Sequence, residues 1–125
     1  APYPADEPLV LVVTPSDALA RLLRLTLLRA GLRVELVEDY DRALQGIEEH
    51  HPKAVVVDDS AGAAWDVVRD VRRSGAHGHL PMLLLIDRPP RQSLFRPLPR
   101  AETLQKPFHE LELQQQVGRL LGKNF

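Results

Sequence analysis

The feature that most constrains this chain is a rhythm of short, continuous apolar runs separated by segments of helical period. "LVLVV" (9–13), "KAVVVDD" (53–59) and "PMLLLID" (81–87) are apolar at consecutive positions. That is the mark of strands covered on both faces, as in a parallel sheet with helices on either side. "RVELVE" (33–38) and "AETLQKPF" (101–108) contain shorter, half-polar strands. Between them, "SDALARLLRLTLLRAG" (16–31) places Leu19, Leu22, Leu23, Thr26, Leu27 and Ala30 on one stripe, with Gly31 at a C-terminal cap position. "YDRALQGIEEHH" (40–51), "AAWDVVRDVRRSG" (63–75) and "HELELQQQVGRLLG" (109–122) complete the helices. The expected fold is α/β: a three-layer, flavodoxin-like (βα)5 domain with a parallel five-stranded sheet in order 2-1-3-4-5. One segment breaks the rhythm. "RPPRQSLFRPLPR" (88–100) holds Pro89, Pro90, Pro97 and Pro99, which leave room for at most a short helix around Arg91–Phe95. The fourth helix is expected to be shortened or lost.

With 125 residues the chain reads as one domain over 9–122, with residues 1–8 as a flexible lead-in. It has no cysteine, which excludes disulfides, thiolate metal sites and thiol nucleophiles. The formal net charge of -1 argues against a bulk electrostatic partner such as nucleic acid or an anionic membrane. No apolar run approaches the roughly 20 residues of a membrane span. A cytoplasmic location is expected.

Sites on sheets of this kind lie at the carboxyl ends of the strands. Those ends are Thr14-Pro15, Asp58-Asp59, Ile86-Asp87 and Lys106-Pro107. "HPKAVVVD" (51–58), "LPMLLLI" (80–86) and "LQKPF" (104–108), in this order and spacing, resemble the receiver domain of bacterial two-component response regulators. The resemblance runs from Leu9 to Leu121. It implies that Asp58 holds the phosphoacceptor position, that Lys106 holds the position of the lysine contacting the phosphoryl group, and that Lys106-Pro107 is a cis peptide. The rest of the machinery departs from the family pattern. A receiver carries an acid pair after the first strand that helps hold Mg²⁺, and here those positions are Thr14 and Pro15. The Ser or Thr that ends the fourth strand is replaced by Ile86, and the aromatic switch on the fifth by Thr103. Mg²⁺ usually takes one or two carboxylates beside phosphate and water, so no metal or other cofactor is expected. The resemblance therefore implies an atypical, degenerate receiver.

Each corner also has a plain structural reading. Thr14, Pro15 and Asp17 suit the N-cap, N1 and N3 positions of the first helix, with Asp17 as the alternative makeshift metal carboxylate. Asp58 is either a phosphoacceptor or half of a fixed ion pair with Lys106. His109 helps start the last helix, and Trp65 packs at the start of the third. Residues 88–106 concentrate Arg88, Arg91, Arg96, Arg100 and Lys106 against Glu102. Solvated charge is the plain reading there, and a basic protein-docking surface the sharper one. No aromatic platform accompanies these arginines, so direct nucleic-acid binding is not expected. The closing helix shows one leucine more than sheet packing needs, a hint of homodimerisation.

The leading expectation is a non-enzymatic signalling domain, acting as a phosphorylation-independent protein-interaction module with a protein partner or attached output domain. The alternative is a working phospho-receiver that takes phosphate on Asp58 from a histidine kinase at an altered metal site. A small flavodoxin-like ligand-binding domain ranks third, because no corner carries a G-x-G-x-x-G cradle. No nucleophile–base pair assembles from these corners.

Overall fold

In the computed structural model, residues 7–87 and 101–123 are described. The first turn of chain shows how local preference sets the elements. β1 (Leu9–Val13) is buried at every position, and α1 (Asp17–Arg29) follows after a three-residue corner. Its N-cap is Ser16, whose Oγ accepts the Leu19 amide at 3.2 Å, so the cap expected at Thr14 is displaced by two residues. Helix α1 ends on Ala30 and Gly31, the latter at φ 83°. The Gly31 amide donates to the Leu28 carbonyl and the Leu32 amide to that of Leu27. This paired closure needs the left-handed residue glycine supplies, and it delivers Leu32 into the core at 1% exposure.

The remaining elements are β2 (Arg33–Val37), a 3-10 turn (Tyr40–Arg42), α2 (Ala43–His50), β3 (Ala54–Asp58), α3 (Ala63–Arg73), β4 (Met82–Ile86), β5 (Ala101–Gln105) and α4 (Glu110–Leu121). All four strand pairings are parallel, in the order β2-β1-β3-β4-β5. The α/β class and strand order are those expected from the apolar rhythm. The arginine-rich stretch and the short helix expected near residues 91–95 lie outside the described residues. None of the described helices is long and apolar enough to cross a membrane.

Strand alternation divides the core in two. Leu11, Val13, Val55, Val57, Met82, Leu84 and Ile86 point to the side covered by α2 and α3. Val10, Val12, Val56, Leu83 and Leu85 point to the side covered by α1 and α4, where they meet Leu23, Leu27, Leu113 and Val117. Each fully buried Val or Leu stabilises by roughly 1.5–3 kcal/mol relative to exposure, so the central strands are anchored from both faces. Leu22 departs from expectation: it lies off the inward stripe of α1 and is 52% exposed. The inward stripe is centred on Leu23, Thr26 and Leu27. On α2, Gly46 lies so close to the sheet that a Cβ there would sit 2.9 Å from Val37 Cγ2.

Candidate functional site

Parallel strands bring their carboxyl ends to one edge, and that edge collects Thr14, Asp58, Asp59, Ile86, Asp87 and Lys106. Asp58 is the last residue of β3 and is 6% exposed. Its carboxylate has two partners. Lys106 Nζ donates to Oδ1, and Thr14 Oγ1 donates to Oδ2 at 2.9 Å. Thr14 is itself buried, and its hydroxyl also accepts the Ser16 amide at 3.1 Å. The residue expected to cap a helix is thus a hydrogen-bond partner of a carboxylate 44 positions away. A bond to an ionised partner contributes about 1.5–3 kcal/mol and a neutral one about 1 kcal/mol.

Lys106 follows β5, where its amide donates to the Ile86 carbonyl at 2.8 Å, and the Lys106-Pro107 peptide is cis. Its ammonium also lies 3.4 Å from the Asp59 carbonyl and 3.6 Å from Asp87 Oδ1. Asp87 is 73% exposed, so that second pair is largely screened by solvent. Asp59 follows the last residue of β3 and faces the start of the next helix. Its Oδ1 accepts the Ala64 amide at 3.1 Å and so helps to start α3.

The sequence reading missed Tyr40. Its hydroxyl donates to the Asp58 backbone carbonyl. Burial, and then the Asp58 and Asp59 carboxylates, push its phenol up to about 12. The signal was its position just past β2, on the same edge of the sheet as the other strand ends. Trp65 sits in the first turn of α3, partly buried against the α2–α3 side of the core.

Among the described residues, Ile86, Thr103 and Pro15 contribute no polar side chain to this cluster. Ile86 is 4% exposed and belongs to the apolar core. Thr103 is half-buried on β5, where its carbonyl accepts Gln116 Nε2 at 3.4 Å. Pro15 is exposed and has no amide hydrogen to give. Arg88, Arg91, Arg96 and Arg100 lie outside the described residues. His109 does begin α4, its amide held by Glu112 Oε1 at 3.0 Å.

Both Asp58 oxygens are already bonded to donors. Among the described residues no group of three or more acids and histidines is gathered for a metal. Charge stabilisation at Asp58 comes from Lys106, and its second oxygen accepts from the Thr14 hydroxyl.

No protein-family model matches this chain, and no curated protein matches it either. Solved structures do. A putative response regulator from Chloroflexus aurantiacus has 24% identity and TM-score 0.79, over 94% of this chain and 100% of that one. The chemotaxis response regulator CheY4 of Vibrio cholerae has 23% identity and TM-score 0.80, over 92% and 99%. The receiver domain of a sensor histidine kinase from Pseudomonas aeruginosa, described with a magnesium ion coordinated in its active-site cleft, has 22% identity and TM-score 0.77, over 94% and 99%. A five-stranded parallel sheet in this order, superposed over nearly the full length of each, gives the chain the fold of the response-regulator receiver domains.

Proposed function

We propose that this domain is a receiver-like signalling module that acts by protein–protein contact, with Asp58 serving as a structural anion and not as a phosphoacceptor. One observation carries the reading: both oxygens of Asp58 are committed, one to Lys106 and one to Thr14. Phosphoryl transfer depends on neutralising charge on the transferring group, usually by a metal and positioned donors. Here the one nearby ammonium is engaged by the carboxylate itself. The hydroxyl that would meet a phosphoryl group is replaced by a core isoleucine. Output then depends on surfaces offered to a protein partner or an attached domain, with no cofactor and no reaction of the domain's own.

The second reading, a phospho-receiver fed by a histidine kinase, is favoured by one observation. Asp58 and Lys106 are adjacent at the carboxyl edge, as in a working receiver. Titrating Mg²⁺ and then beryllofluoride against Trp65 fluorescence separates the two, with acetyl phosphate treatment followed by mass spectrometry. The expected result is a flat titration and an unmodified mass. A saturable response that disappears in Asp58→Asn would establish the phospho-receiver instead.

A further inference from the structure

Strand β2 (Arg33–Val37) borders the sheet, and β1 is its one neighbour among the described residues. The Arg33 amide donates to the Pro8 carbonyl at 2.9 Å, and the Val37 carbonyl accepts the Thr14 amide at 3.0 Å. Successive residues of a strand turn their backbone groups to opposite sides, so Arg33, Glu35 and Val37 serve the ladder with β1. The N–H and C=O groups of Val34 and Leu36 point out of the sheet, unpaired among the described residues. This border is incompletely covered. Leu36 is 39% exposed. Beside α2, Leu36, Val37, Gln45, Gly46 and Glu49 line a groove of about 750 Å³ next to the end of the strand.

The side chains of this strand carry a charge order of their own. Glu35 is in register with Leu11, which points to the α2–α3 layer, so Arg33 and Glu35, two positions apart, share that face. Arg33 is half-buried and Glu35 exposed, and neither side chain has an ion-pair or hydrogen-bond partner among the described residues. With a second β2 set antiparallel to the first and Val34 on a two-fold axis, the two Val34 residues exchange both backbone bonds. Each Arg33 then stands directly opposite the other copy's Glu35, at the non-hydrogen-bonded kind of site where side chains come closest. The next register along places Glu35 opposite Glu35, a destabilising like-charge pair. Charge therefore selects one alignment of the strand with itself.

We propose that β2 is a docking edge for a second copy of this chain, paired antiparallel about a two-fold axis at Val34 so that two five-stranded sheets run on as one. The same surface serves both copies, as a two-fold contact requires. Charges on an edge strand usually keep sheets apart, but the order of Arg33 and Glu35 makes this edge complementary to itself. The ladder is short. The Leu32 amide is already bonded to the Leu27 carbonyl, which leaves the Val34 pair and the Leu36 amides to supply the bonds. A contact along one five-residue strand is small beside the roughly 800 Å² that each partner of a stable interface buries. The association is therefore weak and reversible.

Sedimentation equilibrium of the full chain up to about 1 mM reads the association. The wild type fits a monomer–dimer equilibrium. Arg33→Glu and Glu35→Arg each set like charges opposite one another at two places and weaken it by about tenfold. An equimolar mixture of the two variants associates again, because one copy then carries two negative charges along the edge and the other two positive ones. Both substitutions together in one chain also restore self-association. Neither side chain is buried, and circular dichroism verifies that each variant is folded. Amide exchange followed by NMR identifies the surface: the Val34 and Leu36 amides exchange more slowly as wild-type concentration rises. A wild type that stays monomeric throughout, a mixture no more associated than its components, or dimerisation without slowing at Val34 and Leu36 would overturn the proposal.

Discussion

Replacing Lys106 with methionine isolates the electrostatic role of the Asp58 pair, because methionine keeps much of the apolar stem while deleting the ammonium. Among the described residues, Asp58 would be left with the Thr14 hydroxyl as its one side-chain donor. Removing one partner of a fully buried ion pair costs about 3–5 kcal/mol, and a charge-assisted bond alone about 1.5–3 kcal/mol. The pair lies between these limits, since the Asp58 side chain is 8% exposed and that of Lys106 23%. Water can reach the vacated position, so the expected loss is about 2–3 kcal/mol. Asp58→Asn should cost less, about 1 kcal/mol, because Lys106 retains the Asp59 carbonyl and Asp87. The double variant should cost less than the sum of the two by about 1–2 kcal/mol, the sign of direct coupling. Urea titration followed by Trp65 fluorescence and far-ultraviolet circular dichroism reads these values, with midpoint shifts of roughly 1–2 M for Lys106→Met. A Lys106→Met protein within about 0.5 kcal/mol of wild type, or strict additivity in the double variant, would refute the reasoning.

The combined variant Thr14→Asp, Pro15→Asp returns carboxylates to the corner after β1. It should be less stable than wild type in chelator because like charges then crowd Asp58, and its thermal midpoint should rise saturably with Mg²⁺ while that of wild type stays put. Equal Mg²⁺ responses in the two proteins would count against the account of this corner. Tyr40 makes a prediction at high pH. A phenol that ionises near 10 in the unfolded chain and at about 12 in the fold keeps its proton longer when folded. Its contribution to stability is complete below pH 10 and is lost as pH rises toward 12. Tyr40→Phe should flatten that decline and remove a phenolate absorbance step. If the decline persists unchanged in Tyr40→Phe, another group is responsible.

Legibility in the sequence followed the range of the interaction. β1, β3 and β4 were plain because a strand covered on both faces must be apolar at consecutive positions, and Leu9–Val13 and Met82–Ile86 are. The meeting of Asp58 and Lys106 followed from placing both at strand carboxyl ends. Thr14 was misread because capping preference is a local rule. The same hydroxyl that could close a helix can instead reach across the sheet, and Ser16, two residues on, was free to cap. Leu22 was misplaced for a related reason. A stripe of six residues on a leucine-rich helix is wider than the face the sheet can cover, and periodicity alone does not say which edge stays outside. Tyr40 left only a positional signal, because its partner is a backbone carbonyl and leaves no trace in side-chain pattern.

The Thr14-Pro15 corner has a consequence for the charge balance of the domain. Asp58 and Lys106 cancel one another, Asp59 is spent on the start of α3, and Asp87 is left to the solvent. With neutral residues after β1, the buried part of the carboxyl edge is electrically closed within the chain. Carboxylates at positions 14 and 15 would add two negative charges beside Asp58, and such a corner would gain stability from a divalent cation that filled it. Here the buried Asp58 charge is offset by Lys106. On the proposed reading the domain's folding free energy should change little with chelators or with the Mg²⁺ level.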